Sequence, residues 1–97
     1  MSVLVRFAPA SLTVAQYDEA IRRLEEAGMI PADGLEYHVC FGSEPNLKVS
    51  EIWESEAQWQ AFGEKLMPVL AEVGIEPGEP EQIEIHNVIQ PGLVAAR

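Results

Sequence analysis

The sequence predicts an α+β fold, for three reasons. Residues 35–53 read as two β-rich runs separated by a turn cluster, which is the pattern of a β-hairpin. One amphipathic helical pattern precedes this hairpin and another follows it. A β-rich segment also lies near each end of the chain. Short connections and right-handed crossovers fold this βαββαβ order into a four-stranded antiparallel sheet with two helices on one face. This is the ferredoxin-like arrangement, with the strands in the spatial order 4-1-3-2.

The four predicted strands are bounded by turn and breaker residues. The first strand is apolar and β-branched and stops at Pro9. The central hairpin turns through residues 42–46, which include Gly, Ser, Pro and Asn. Pro91 and Gly92 end regular structure after the last strand, which leaves residues 91–97 as a short tail. The predicted strands are residues 3–8, 35–41, 47–53 and 82–89.

The two helices carry the same start signal. Thr13 and Ser55 each precede a helical pattern and are followed three residues later by Gln, as in a capping box. Gly28 and Gly74 are the natural C-terminal residues. Pro68 interrupts the second pattern, so we expect a kink there or a fresh helical segment. The buried stripes are Tyr17, Ala20, Ile21, Leu24 and Ala27 in the first helix and Trp59, Phe62, Leu66 and Val69 or Leu70 in the second.

Alternation along the strands assigns side chains to the two faces of the sheet. The third strand allows two assignments, because turning Val49 and Trp53 toward the helices would bury Glu51. We expect these residues toward the helices: Tyr37, Val39, Phe41, Ile83, Ile85 and Ile89. We expect these on the face that the helices leave open: Arg6, Glu36, His38, Cys40, Gln82, Glu84, His86 and Val88. Such an open face is typical of the wall of a semi-polar cavity.

Composition excludes several function classes. The net charge of −10, from 16 acidic and 6 basic residues, repels phosphate backbones and anionic membrane surfaces, so we expect neither nucleic acid nor membrane as a partner. Cys40 is the one cysteine, which precludes an internal disulfide and a cysteine-based metal cluster. The first residues lack the features of a secretory signal, and no apolar run approaches a membrane span, so we expect a cytoplasmic protein.

The order of strands and helices resembles that of the dimeric α+β barrel superfamily, especially the antibiotic-biosynthesis-monooxygenase-like (ABM-like) domains. The closest local similarity is Val49-Ser50-Glu51-Ile52-Trp53-Glu54-Ser55-Glu56-Ala57. It resembles that family's third strand, which ends in an aromatic residue and runs into a capped second helix. The resemblance implies a single ABM-like domain over residues 1–97. It also implies a homodimer whose open sheet faces pack together, with a pocket in each half.

The same resemblance implies features of the site. It places the aromatic residue Trp53 at the pocket, which favours turning Glu51 and Trp53 toward the open face. It argues against haem degradation, because haem-degrading members take their axial ligand from a His on the second helix and residues 56–73 contain none. Cofactor-free quinone-forming members need a polar pocket. The residues that would supply it are Arg6, His38 and His86.

His38 and His86 are the candidate catalytic residues. They lie on opposite edges of one sheet, so they would meet only across a dimer. An imidazole with a pKa near ~6.5 can transfer protons at neutral pH. The alternative is that both are interface or surface histidines with ordinary hydrogen bonds. Two histidines without a third ligand do not specify a metal, so we predict no metal site.

Arg6, Glu51, Trp53 and Cys40 are the candidate substrate-binding residues. Arg6 is suited to holding a substrate carboxylate or phenolate, or alternatively pairs with Glu51 across the central strands. Trp53 either stacks on an aromatic ligand or belongs to the core. Cys40 lies two residues from His38 on the same face, where it is either a nucleophile or a small buried side chain.

The sequence therefore predicts a homodimeric α+β barrel that binds a small hydrophobic or aromatic molecule without a cofactor. If it is an enzyme, the favoured reactions are cofactor-independent monooxygenation and isomerisation. His38 or His86 would then act as acid and base, Arg6 would stabilise an anion, and Trp53 would shape the pocket. The alternative is a non-catalytic ligand-binding or dimeric scaffold protein.

Overall fold

The computed structural model describes residues 2–89, which form four strands and two helices in the predicted order. The tail predicted for residues 91–97 lies outside the described residues. The elements are β1 (Val3–Phe7), α1 (Val14–Glu26), β2 (Leu35–Phe41), β3 (Lys48–Trp53), α2 (Glu56–Val73) and β4 (Glu81–Glu84).

The sheet has the spatial order β2-β3-β1-β4, and each neighbouring pair is antiparallel. This is the predicted order read from the other edge. Strand residues such as Val5 and Trp53 form one buried cluster with Leu24 from α1 and Leu66 from α2. Both helices therefore lie on the same face of the sheet. The predicted ferredoxin-like α+β fold is confirmed.

The helix starts and stops follow the predicted signals. Thr13 Oγ1 accepts a hydrogen bond from the Gln16 backbone N–H at 3.2 Å, and Gln16 Oε1 accepts one from the Thr13 N–H at 3.0 Å. This completes the capping box. Ser55 Oγ accepts from the Gln58 N–H at 3.3 Å. Gln58 Oε1 accepts from the Ser55 hydroxyl at 2.9 Å instead of from the Ser55 backbone N–H, so the capping box predicted here is only half formed. Gly74, with φ +83°, ends α2 in the left-handed conformation that a residue without a Cβ adopts without strain.

Pro68 lies inside α2, which continues from Glu56 to Val73 without a break. No fresh helical segment begins there. Burial of Trp59 and Leu66 against the sheet holds the helix on the N-terminal side of the proline. Packing of this kind compensates for the one backbone hydrogen bond that proline cannot donate.

The face assignment predicted for β2 is wrong, and a β-bulge is the reason. Leu35 pairs with Trp53, but Tyr37 pairs with Ile52, so two steps along β2 match one step along β3. The extra residue, Glu36, reverses the alternation for the rest of the strand. His38 and Cys40 therefore face the helices, whereas the expected inward set of Tyr37, Val39 and Phe41 faces the open side.

The third strand follows its hydrophobic pattern. Val49, Glu51 and Trp53 are all buried on the helix side, with relative exposures of 8%, 5% and 0%. They pair with Phe7, Val5 and Val3 of β1, which lie on that same face. The expectation that Glu51 and Trp53 turn toward the open face is therefore wrong.

The last strand is shorter than predicted and its faces are exchanged. It ends at Glu84 instead of residue 89. Ile83 pairs with Leu4 on the open face and is 44% exposed, whereas Gln82 pairs with Val5 on the helix side. Ile85 and Ile89 lie beyond the strand, and Ile89 is 77% exposed, so neither continues the inward set predicted for it.

The open face carries an apolar row across all four strands. The register places Tyr37, Ile52, Leu4 and Ile83 side by side, one from each strand. Tyr37 is 48% exposed and Ile83 is 44% exposed. No described residue covers this row, which leaves a continuous apolar surface on the side opposite the helices.

Candidate functional site

The main cavity of the described chain lies between the sheet and the helices, not on the open face. Its volume is about 330 Å³. Of its lining residues, only Tyr17, His38 and Glu51 are polar, and none is a lysine or arginine. The apolar lining comprises Phe7, Pro9, Leu12, Ala20, Ile21, Leu24, Ile30, Leu35, Val49, Phe62, Leu66, Leu70, Ile75 and Pro77.

The polar groups of the cavity form one hydrogen-bonded chain. His38 Nδ1 is 2.6 Å from Glu51 Oε2, and His38 Nε2 is 2.6 Å from the Tyr17 hydroxyl oxygen. The Trp53 indole N–H donates to the other carboxylate oxygen, Glu51 Oε1, at 3.1 Å. The chain thus runs from a buried indole through a carboxylate and an imidazole to a phenol. No buried side-chain polar atom of the described residues lacks a partner.

The partners fix which nitrogen of a neutral His38 carries the proton. As a carboxylate, Glu51 only accepts hydrogen bonds, so His38 donates to it from Nδ1. His38 Nε2 is then an acceptor, and the Tyr17 hydroxyl donates to it. The His38 side chain is 28% exposed while that of Glu51 is 6% exposed. The imidazole therefore stands between the buried carboxylate and solvent.

The Tyr17 phenol is kept protonated by its surroundings. Burial, with smaller contributions from the nearby Cys40 and Glu51, raises the pKa of Tyr17 to about 12. A protonated phenol is the form that donates to His38 Nε2. The Tyr17 and His38 rings lie nearly in parallel planes, with centroids 5.9 Å apart and an interplanar angle of 25°.

Three local features of the sequence assemble this site. The bulge at Glu36 turns His38 toward the helices, and the β2–β3 register places it directly opposite Glu51. Trp53 follows Glu51 by two residues, so both point to the same face. Tyr17 approaches from the buried stripe of α1. The helical periodicity places Tyr17 in the core, and its only sequence signal is a polar-tipped aromatic within an apolar stripe.

The structure brings together some of the predicted site residues and separates others. His38 and Glu51 line the cavity, and Trp53 lies fully buried behind Glu51. Arg6 pairs with Ser50 on the open face, away from Glu51, so neither the predicted ion pair nor an anion site in this cavity forms. His86 is exposed beyond the end of β4. Because His38 faces the helices, a partner sheet on the open face cannot bring a second His86 to it.

Cys40 faces the helices and packs against both buried clusters. Burial raises the pKa of its thiol, with a further contribution from the negative charge of Asp18. The thiolate is the reactive form of cysteine, so this environment disfavours a nucleophilic role and fits a small packed side chain.

A second, wider hollow lies between the end of α1 and α2. Its volume is about 660 Å³, and it is lined in part by Asp33, Gln58 and Lys65. Gln58 Nε2 already donates to Asp33 Oδ2 at 3.3 Å. The main cavity, with a connected set of polar groups at one end of an apolar space, is the stronger candidate site.

Metal ligands are not clustered in the part of the chain that the structure describes. No group of three or more His, Cys, Asp or Glu side chains within residues 2–89 has the spacing to hold a metal ion. Across the same residues, no helix is both long enough and apolar enough to span a membrane.

Comparison with known proteins identifies the fold through structure rather than sequence. No family model and no curated protein sequence matches the chain. SnoaB, a cofactor-independent oxygenase from Streptomyces nogalater, superposes with a TM-score of 0.62 at 11% identity, over 91% of this chain and 94% of its own. A dimeric ferredoxin-like protein from an uncultured marine organism superposes with a TM-score of 0.59 at 11% identity, over 92% of each chain.

A third similar structure was determined with a ligand. The monooxygenase ActVA-Orf6 of Streptomyces coelicolor, in complex with nanaomycin D, superposes with a TM-score of 0.52 at 14% identity. The match covers 93% of this chain and 90% of that one. At these identities the likeness concerns the backbone fold alone. The chain therefore has the ferredoxin-like α+β fold of the ABM-like proteins, as the resemblance implied.

Proposed function

We propose that the main cavity binds a small, uncharged aromatic molecule with one hydroxyl group, and that His38 acts on it as an acid and base. The chemistry of the lining supports this ligand. Fourteen apolar residues surround the space, and the polar groups are confined to Tyr17, His38 and Glu51. A carboxylated or phosphorylated ligand would bury its charge without a cationic partner, which is costly.

The size of the cavity supports a ligand of about two fused rings. A dry apolar cavity of about 150 Å³ in another protein holds one benzene molecule. The cavity of this chain, at about 330 Å³, is roughly twice that volume. It lies at the small end of the range for ligand pockets. A hydroxylated naphthalene is therefore a suitable probe.

The proposal that His38 acts as an acid and base rests on its contact with Glu51 at the cavity wall. A base that is oriented by a buried carboxylate can take a proton and leave the resulting imidazolium paired with a negative charge. His38 Nδ1 lies 2.6 Å from Glu51 Oε2. Loss of the ligand's hydroxyl proton would leave an electron-rich oxyanion in an apolar space.

Cofactor-independent monooxygenation is the reaction that we propose for this oxyanion. With 1-naphthol as the example, C10H8O and O2 give 1,4-naphthoquinone, C10H6O2, and H2O. The substrate supplies all four electrons: one oxygen atom becomes the new carbonyl and the other leaves as water. No external reductant is required. The likeness in fold to SnoaB and ActVA-Orf6 supports this reaction class.

Oxygen uptake with a panel of monohydroxylated naphthalenes tests the proposal. We expect one O2 consumed per quinone formed by the wild-type protein, strong loss in His38→Gln, and retention in His86→Gln, the matched control. Binding without oxygen uptake would contradict monooxygenation. If a bound compound rearranged in the absence of O2, the proposed reaction would be isomerisation instead of monooxygenation. If no compound changed, the non-catalytic alternative would replace the catalytic proposal.

We also propose that the protein is a homodimer through its open face. The apolar row of Tyr37, Ile52, Leu4 and Ile83 is the surface that a second copy would cover. Two such rows are self-complementary, as a two-fold interface requires. The dimeric ferredoxin-like protein of similar fold supports this assembly.

A further inference from the structure

We propose that the Tyr17 hydroxyl, and not the His38 ring, is the group that contacts the hydroxyl of the bound ligand and passes its proton to His38. This inference rests on the proposed function, since it assigns the contact atom within the same site. It makes Tyr17 a catalytic residue, a role that the sequence pattern of α1 does not suggest.

The hydrogen bonds of His38 carry the inference. Both ring nitrogens are occupied, Nδ1 by Glu51 and Nε2 by Tyr17, each at 2.6 Å. The ring therefore has no free nitrogen for a proton that comes from the cavity. The Tyr17 oxygen differs, because a hydroxyl that donates one hydrogen bond still has lone pairs to accept another. Tyr17 also lines the cavity, so a ligand hydroxyl can reach it.

Packing holds Tyr17 in this position. Its side chain contacts both buried clusters of the core, and its hydroxyl is hydrogen-bonded to His38 Nε2. Moving the phenol aside to expose His38 Nε2 would break these contacts together with the hydrogen bond. A relay through Tyr17 requires no such movement.

The proton step balances without any change of oxidation state. The ligand O–H bond breaks and its proton bonds to the Tyr17 oxygen, while the original Tyr17 proton moves to His38 Nε2. The products are a ligand oxyanion, a neutral phenol and an imidazolium paired with Glu51. Burial raises the pKa of Tyr17 to about 12, so a free tyrosinate is disfavoured and the two transfers occur together.

Binding of matched ligands tests the contact. The probes are naphthalene and 1-naphthol, titrated calorimetrically into the wild-type protein, Tyr17→Phe and the control Tyr37→Phe, which changes a tyrosine on the open face. We expect the wild type and Tyr37→Phe to bind 1-naphthol with an affinity roughly two- to tenfold higher than that for naphthalene, which is the effect of one net hydrogen bond. Tyr17→Phe should bind naphthalene normally and lose the preference. A purely structural role would weaken both ligands alike.

A ligand-side variant keeps the test independent of the folding of Tyr17→Phe. With Tyr17 donating to His38, 1-methoxynaphthalene has no proton to give and should bind to the wild type no better than naphthalene. Equal affinity for the ether and 1-naphthol would overturn the inference. A preference for 1-naphthol over naphthalene that survives in Tyr17→Phe but disappears in His38→Gln would also overturn the inference. The proposed function would still hold in that case. If the wild type bound none of the three probes, the proposed function would fail and the inference with it.

Discussion

His38 on β2 lies directly opposite Glu51 on β3, with the imidazole Nδ1 2.6 Å from the carboxylate Oε2. The contact joins a partly exposed base to a buried acid, since the two side chains are 28% and 6% exposed. The second oxygen of Glu51 accepts the Trp53 N–H. Glu51 is therefore held from two sides, and its orientation determines that of His38.

Replacing Glu51 with Gln is predicted to reverse the tautomer of His38. The Trp53 N–H still needs an oxygen, so the Gln oxygen takes the place of Oε1. The amide NH2 then faces His38 Nδ1, which must accept and carry no proton. Nitrogen-15 spectra above neutral pH, in a His86→Gln background that leaves one histidine, should show protonation at Nδ1 with Glu51 and at Nε2 with Gln. An unchanged tautomer would contradict this hydrogen-bond arrangement.

The bulge explains why the fold was predictable from the sequence while the faces of β2 were not. Strand order, helix caps and the core face of β3 follow from local patterns of apolar and capping residues. Glu36 carries no comparable signal, since a bulge depends on how two strands pair rather than on the residue itself. One uncounted residue was enough to place His38 and Cys40, two of the residues expected to line an open-face cavity, on the wrong face of the sheet.

Filling the cavity is predicted to abolish ligand binding without unfolding the chain. Ala20 lines the cavity and is 4% exposed, so Phe at this position occupies part of the empty volume. The affinity for 1-naphthol should fall more than about tenfold, because the ring competes with the ligand for space. The free energy of unfolding should change by less than about 1.5 kcal/mol, since added volume enters a void.

The matched control for this substitution is Ala15→Phe. Ala15 lies on the exposed side of the same helix, so the change adds the same ring outside the cavity. It should leave the affinity for 1-naphthol as in the wild type. Normal binding by a folded Ala20→Phe variant would show that the ligand sits elsewhere.

A charge on the open face is predicted to dissociate the dimer. Ile83 is 44% exposed in the single chain and belongs to the apolar row that a partner would cover. Lysine at this position would bury an unpaired ammonium at the interface. Sedimentation velocity should show a dimer for the wild type and a monomer for Ile83→Lys. Met67→Lys, on α2 at 36% exposure, is the control and should remain a dimer.

The site was only partly predictable for a similar physical reason. His38, Glu51 and Trp53 are residue types whose chemistry can be recognised in a sequence, and the structure joins them. Tyr17 could not be distinguished from the other members of its helical stripe, because a phenol in a buried stripe satisfies the packing of its ring whether or not its hydroxyl has a function. Only the hydrogen bond to His38 shows the difference.

The titration of Tyr17 gives a prediction about pH. The chain has two tyrosines, so Tyr37→Phe leaves Tyr17 as the sole phenol. Its phenolate absorbance should appear near pH 12 while the chain is folded, compared with about 10 for an unperturbed tyrosine. Between these values the folded chain retains a proton that the unfolded chain has lost, so this group lowers the stability as the pH rises from about 10 to 12. Tyr17→Phe should remove that part of the alkaline loss of stability in urea titrations. Ionisation near pH 10 in a chain whose circular dichroism is still that of the folded state would contradict the burial of Tyr17 against His38 and Glu51.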